Sequence, residues 1–326
     1  MRKYAVGLWI WGPLYDRFVT SGYRSAPPLQ TIIQSISTIP KVSGVELTYP
    51  DHINETNWQE LRRLISDHGL QIASVYCNLS SHPKWQRGAF TSSSQLRKEA
   101  IAQVKTTMDL VADLGAFHVT FSLLQDGWDY PFQTDYLAAR QAIVSALQEC
   151  CDYRPDVVIG VEFKPREPRV FCHLSTAATT ILIVKAVQRS NIGIVLDIGH
   201  ALMANENLGN VVSLIAEHTK LTHLHLNDNY RAWDDDLIVG SVHFVEMLEF
   251  VYWLRRINYE GWYSLDIFPF RDDPWAASKT SIEFLEVCHQ FLEELGEDYI
   301  TKAIKQQDFI PLYDKLLQIL HKKSQC

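Results

Sequence analysis

Four apolar runs in this 326-residue chain stop at a side chain able to hold a hard or borderline cation: Glu162, Asp197, His225 and Asp266. Carboxylates joined by an imidazole, with no thiolate among them, suit Mg²⁺, Mn²⁺ or Co²⁺. Any one of the four alone would read as an exposed loop residue. All four close consecutive runs, so parallel strands would bring them to one rim, where an open cation site orients and polarises substrate oxygens. Lys164 lies two residues beyond Glu162, on the same side of an extended segment. An ammonium there could hydrogen-bond a substrate carbonyl and stabilise developing negative charge. Pro165 and Pro168 stiffen this segment, which weighs against an idle surface lysine.

A second group follows. His200 comes three residues after Asp197, and Asp234-Asp235-Asp236 comes shortly after His225. The acidic triplet reads as a solvated loop tip, as most charge runs are. It reads equally as a second cation site, with Asp234 and Asp236 alternating to one side and His200 as third ligand. The residues alone leave both open.

The elements that must position these groups are short apolar runs recurring about every 35 to 40 residues, with amphipathic stretches between them. The runs expected as strands are Tyr4–Trp11, Gly44–Tyr49, Gln71–Leu79, His118–Leu123, Val157–Phe163, Ile192–Leu196, Leu221–Leu226 and Trp262–Ile267. Near-continuous Val, Ile and Leu fits parallel strands buried on both faces. Helical spacing is clear over Gln95–Leu114, which closes on Gly115, and over Thr176–Val187 and Val245–Leu254. Eight such units close into a (β/α)₈ TIM barrel, a fold of about 250 residues or more. No Gly/Ser-rich linker divides the chain. The expectation is therefore one barrel domain over residues 1–295 and a short C-terminal helical extension over 296–326, helical across Tyr299–His321.

Composition narrows the function. With 47% hydrophobic and 21% charged residues the chain reads as an ordinary globular protein. A net charge of −8 speaks against a nucleic-acid surface, which needs a basic stripe. The six cysteines have no CxxC spacing and read as free thiols of a reducing cytoplasm, with Cys150 and Cys151 on a helix. No signal-peptide core and no run near the roughly 18 residues of a membrane span is present, so a cytoplasmic protein without membrane attachment is expected.

Several segments resemble the xylose isomerase and rhamnose isomerase family. Glu162-Phe163-Lys164-Pro165-Arg166-Glu167-Pro168-Arg169 resembles its E-x-K-P-x-E-P-R segment, and Gly199-His200 through Met203-Ala204 to Asn207 resembles G-H-x-x-M-A-x-x-N. Asn78-Leu79, His82-Pro83 and Gly88 to Thr91 resemble N-L-F-x-H-P-x-F-x-D-G-x-F-T. Gly7-Leu8-Trp9 with Asp16-Arg17-Phe18 is similar to G-L-W … D-P-F, and Asp266 to Arg271 to D-x-K-P-x-R. Asn227-Asp228 followed by Asp234-Asp235-Asp236-Leu237 and Val239-Gly240-Ser241 resembles the rhamnose isomerase stretch N-D … D-D-D-L-x-V-G-S. The order is collinear from about residue 5 to residue 290.

The resemblance implies two divalent ions per site, Mn²⁺, Co²⁺ or Mg²⁺. Glu162, Asp197, His225 and Asp266 would hold the first, and His200, Asp234 and Asp236 the second, with Asp197 close by. Lys164 would touch the C1 oxygen, Trp9 would wall the sugar, and Phe18 would reach a neighbouring subunit of a homodimer or homotetramer. His82, Trp128 and Arg271 are expected in the pocket. Lys164, His200 and Asp234 would carry the chemistry of an aldose–ketose isomerase that moves hydride between C1 and C2 of an open-chain monosaccharide. The family's ring-opening His-Asp pair is replaced by Thr48 and Tyr49, with Asp51-His52 close behind. The alternatives are a ketose 3-epimerase or inosose-type dehydratase on the same barrel, and a non-catalytic sugar-binding protein. The proton-abstracting rivals use paired glutamates on strands five and eight, and here the eighth run ends in Asp266.

Overall fold

The computed structural model describes residues 2–167 and 169–323. Eight parallel strands close into a barrel: β1 Lys3–Gly7, β2 Val42–Tyr49, β3 Gln71–Cys77, β4 His118–Ser122, β5 Val158–Glu162, β6 Ile192–Asp197, β7 Leu221–Leu226 and β8 Trp262–Leu265. Each strand pairs in parallel with its sequence neighbour, and β8 pairs with β1 through Lys3↔Trp262 to Val6↔Leu265. The expected (β/α)₈ TIM barrel is thus the fold. Strand β6, Ile-Gly-Ile-Val-Leu-Asp, is buried at every position, as a strand covered by helices outside and packed side chains inside must be.

The outer layer consists of α1 Leu29–Ser37, α2 Trp58–Asp67, α3 Ser94–Asp113, α4 Tyr136–Tyr153, α5 Ala177–Val187, α6 Ile198–Met203, α7 Leu208–His218, α8 Phe244–Arg256 and α9 Pro274–Leu295. Their ends follow local chemistry. Thr176 caps α5 by accepting from Thr179 N while Thr179 Oγ1 accepts from Thr176 N, a reciprocal cap. Gly115 follows α3 with φ +76°, the left-handed residue that ends a helix without a Cβ penalty. Beyond α9 the expected single helical stretch is two helices, α10 Glu297–Gln306 and α11 Ile310–Lys323. Gln307, at φ +53°, breaks them, and Pro311 sits in the first turn of α11, where its missing N–H costs nothing. Helix α11 packs against α9.

The first strand is shorter than expected. It stops at Gly7, and Leu8–Trp11 forms a 3₁₀ turn that the unbroken apolar run does not reveal. A Cβ on Gly7 would lie 2.3 Å from the Trp9 indole, so glycine lets this ring fold back over the strand end. Loops after β4 and β5 add a small antiparallel sheet of Gly127–Trp128, Arg166–Glu167 and Val170–Cys172, for which no alternating pattern gave warning. Cys77, Cys150, Cys151, Cys172 and Cys288 are free and buried, and Cys150 and Cys151 lie in α4 as expected. Pro168 and Cys326 lie outside the described residues. Among the described residues no helix is long and apolar enough to cross a membrane.

Candidate active site

The strand ends converge as the barrel requires. Glu162 is the last residue of β5 and Asp197 the last of β6; His225 is next to last in β7, and Asp266 directly follows β8. Each offers one ligand atom, and these four atoms all lie within 4.8 Å of one another. His225 Nδ1 is 2.9 Å from Glu162 Oε1 and 3.5 Å from Asp266 Oδ2. Ser122 Oγ donates to Glu162 Oε2, and Trp9 Nε1 donates to Asp266 Oδ1 at 2.7 Å. These donors hold the carboxylates in one orientation.

The electrostatics fit a cation. Burial pushes each carboxyl upward, and the neighbours then decide. Glu162 is brought down to about 2 by the His225 and His200 imidazoles and the Ser122 hydroxyl, which outweigh burial. Burial prevails at Asp197, pushed up to about 6 with Asp234 and Glu162 adding to it against His200. Asp266 is pushed up to about 7 by burial, with Asp197 and Glu162 adding and His225 opposing. Burial opposes a charge on His225, but Glu46 and Glu162 prevail and hold it well above its ordinary value, so the acidic group is balanced in part by protons that an ion would replace. A divalent ion is the natural counter-charge.

A second group shares Asp197. Asp197, His200 and Asp234 also offer ligand atoms within 4.8 Å of one another. Asp197 caps the short helix α6, its Oδ1 accepting from His200 N at 3.0 Å, which turns the His200 ring into the cavity. His200 Nε2 is 3.1 Å from Asp234 Oδ2. His200 Nδ1 and Asp234 Oδ1 are buried without a hydrogen-bond partner, as expected of atoms aimed at an absent ligand. Burial lowers His200, but Asp197 and Asp234 prevail and carry it up to about 9.

Asp236 does not complete this second group as the alternating spacing implies. The loop is not extended there: Asp236 has φ +48°, and its Oδ1 accepts from Asn227 Nδ2 at 3.1 Å. Asn227 Nδ2 also lies 3.2 Å from both Asp197 oxygens, bridging the two acidic residues. Burial, then Asp234 and Asp266, hold Asp236 well above the usual carboxylate range.

Lys164 points into the same cavity. Its Nζ is 2.7 Å from Asp234 Oδ2 and also contacts Glu167. Burial opposes the charge, but Asp234 and Glu167 overcome it and hold Lys164 well above its ordinary value. It is a fixed ammonium rather than a proton donor in exchange with solvent. Two prolines were the sequence signal for this rigidity; the ion pairs supply it.

These groups line an open cavity of about 1290 Å³. Trp9 and Arg271 line it as expected, and so do Thr48, Asp51 and His52. Thr48 N donates to His52 Nδ1 at 3.0 Å, and burial holds His52 down to about 4, so its imidazole is neutral. Two expected pocket residues, His82 and Trp128, stand elsewhere, and Phe18, expected against a neighbouring subunit, does not line this cavity. His82 is exposed and starts the 3₁₀ turn Pro83–Trp85, where Trp85 takes the inward position. Trp128 lies in the small antiparallel sheet, stacked on Phe171 and tilted against His173. Phe18 is 79% exposed, on a loop whose backbone donates to Asp16 Oδ1. Sequence reasoning did not single out Tyr76 or Glu46. Glu46 carried a signal, a lone carboxylate inside the apolar run of β2.

A cation-ready acidic site at the C-terminal rim of a parallel barrel defines the class of protein. Residues 41–301 match the family described as xylose isomerase-like TIM barrel, and the chain belongs to that family. It is 26% identical over 257 residues to the xylose isomerase of Thermus thermophilus, a match covering 76% of this chain. That match spans 66% of the relative's length. Among solved structures it is similar to a D-tagatose 3-epimerase-like protein, with TM-score 0.69 and 19% identity over 89% of this chain and 99% of that one. D-allulose 3-epimerase from Methylomonas sp. has TM-score 0.70 and 15% identity over 88% and 96% of the two chains. The 3-keto-D-glucoside 4-epimerase of E. coli has TM-score 0.67 and 17% identity over 88% and 100%. At these identities the structures bear on the fold alone.

Proposed function

We propose that this protein is a divalent-metal-dependent aldose–ketose isomerase that moves hydrogen directly between C1 and C2 of an open-chain monosaccharide. The observation carrying this reading is the meeting of Lys164 Nζ with Asp234, 2.7 Å apart, beside two ligand groups that share Asp197. Glu162, Asp197, His225 and Asp266 would hold one ion, and His200, Asp234 and Asp197 a second, with Asp236 alongside. Bound there, a divalent ion supplies Lewis-acid polarisation of neighbouring substrate oxygens.

The protein's own groups do the rest. Lys164 donates a hydrogen bond to the C1 oxygen and stabilises the charge that builds on it. Trp9, held by its bond to Asp266, covers one side of the sugar and excludes water. Glu162 and Asp266 face the ligand group, and Ser122 and Trp9 already engage one oxygen of each. Neither is free to act as a base over a sugar carbon.

The relative named as xylose isomerase supports monosaccharide chemistry, and the ketose 3-epimerases that share the fold define the rival. In that second reading Glu162 and Asp266 exchange a proton with the sugar. Turnover in D₂O separates the two. Product NMR is expected to find the migrating hydrogen retained, with almost no deuterium at C1, C2 or C3; near-complete deuteration, at C3 for a 3-epimerase, would establish the proton route instead.

The reading includes a homodimer or homotetramer in which exposed Phe18 lies against a neighbouring subunit's cavity, with residues 1–295 as catalytic barrel and 296–326 as a packing or subunit-contact tail. Sedimentation should find no active monomer, and Phe18→Ala should raise KM several-fold. A fully active monomer would remove this part of the proposal.

A further inference from the structure

Below the rim, inside the barrel, a carboxylate that the chemistry above does not use joins two histidines. Glu46 on β2 has no solvent exposure, and its chain neighbours Val45 and Leu47 are equally buried. Its Oε2 lies 3.0 Å from His225 Nε2, and its Oε1 contacts His223 Nε2. The His223 ring lies against His118 with centroids 5.2 Å apart, and His118 Nδ1 is 2.9 Å from Ser74 Oγ. Strands β2 and β7 are not adjacent, so Glu46 reaches His225 across the barrel interior. A buried carboxylate in this apolar run is costly unless partners satisfy both oxygens.

Its effect on His225 follows from hydrogen-bond roles. An ionised carboxylate only accepts, so the His225 nitrogen facing Glu46 must carry a hydrogen. A ligating imidazole has one N–H. Glu46 therefore takes that N–H at Nε2 and leaves the lone pair on Nδ1. Nδ1 is the atom 2.9 Å from Glu162 Oε1 and 3.5 Å from Asp266 Oδ2, in the centre of the ligand group.

We propose that Glu46 is a positioning residue that fixes the tautomer and ring orientation of His225 so that Nδ1 is presented to the metal. Partners of this kind behind a ligating histidine sharpen metal affinity without touching substrate. The inference rests on the metal reading of His225 given above. A merely structural Glu46 would fill space and satisfy two imidazoles, with no consequence for which nitrogen ligates.

The test begins on the tautomer in the wild-type chain, with one folded His225 variant serving only to assign the signal. In ¹⁵N-histidine-labelled protein loaded with Zn²⁺, the His225 signal, identified by its loss in His225→Gln, is expected to carry its hydrogen on Nε2. A hydrogen on Nδ1 would overturn the proposal. Mn²⁺ affinity is then measured by competition with a chelating dye. Glu46→Leu should weaken it by about 10- to 100-fold, and Glu46→Gln, which keeps an acceptor for Nε2–H, by clearly less. Unchanged affinity in both folded variants would defeat the proposal, and if Glu46→Leu does not fold, Glu46→Gln and the tautomer decide. Asp266→Asn separates the levels of inference. If wild-type and Asp266→Asn bind Mn²⁺ equally, or neither binds, the metal reading itself fails. If Asp266→Asn weakens binding and the Glu46 variants do not, only the Glu46 role is lost.

Discussion

Exhaustive chelation is expected to abolish turnover, with Mn²⁺, Co²⁺ or Mg²⁺ restoring it. The magnitude should exceed that of any single side-chain loss, because one bound cation supplies several kcal/mol of charge stabilisation, and Lys164, already paired with Asp234 and Glu167, does not replace it. Glu162→Gln should approach the chelated level. It removes a charge from the group and disturbs His225, whose Nδ1 faces Glu162 at 2.9 Å. Protonation gives this expectation a sign. In the metal-free chain His200 rises to about 9 and keeps its proton through neutral pH, while Asp266, at about 7, and Asp197, at about 6, give theirs up across it. Those protons must leave before the same atoms can ligate, so metal affinity should rise with pH from about 6 to about 9 and weaken below that window. Full activity after metal removal, verified by elemental analysis, would end the metal reading; affinity that falls as pH rises would refute the protonation argument.

Lys164→Met should lower kcat by about 10²- to 10³-fold, the usual loss when one preorganised donor to a developing oxyanion is removed. KM should move far less, since the ammonium acts mainly as charge builds in the transition state. The same change leaves Asp234 without its 2.7 Å partner in a buried setting. Breaking such a pair costs roughly 3–5 kcal/mol, so the metal-free variant should melt lower, and added Mn²⁺ should recover much of the loss. Steady-state kinetics and thermal melts with and without metal check both parts. A variant with unchanged kcat would mean that Lys164 is only an ion-pair partner of Asp234 and Glu167.

The barrel and its rim were legible in the chain because both rest on local pattern. Continuous apolar runs ending in Glu162, Asp197, His225 and Asp266 set strand positions, and parallel strands of one barrel must end at one rim. Errors lie where an apolar run does not distinguish a strand from a turn. Leu8–Trp11 is as apolar as the strand before it, and only Gly7 marks the place where the indole folds back. His82 and Trp128 were misjudged because a motif match gives order along the chain, not direction in space. Trp85 and Phe171, neighbours made by the folded loops, decide where those two side chains point.

Sequence alone determined the fold class and the identity of the four side chains that converge at the rim, since both follow from where short-range hydrophobic patterns stop. Tertiary structure alone decided that Asp236 turns aside at φ +48° and that Glu46 stands behind His225. The contact of Glu46 with His225 joins residues 179 positions apart, a reach across the barrel that only chain closure supplies. No local pattern encodes a hydrogen bond from β7 to β2: Glu46 meets His225 because eight strands, each correct on its own, have closed around both.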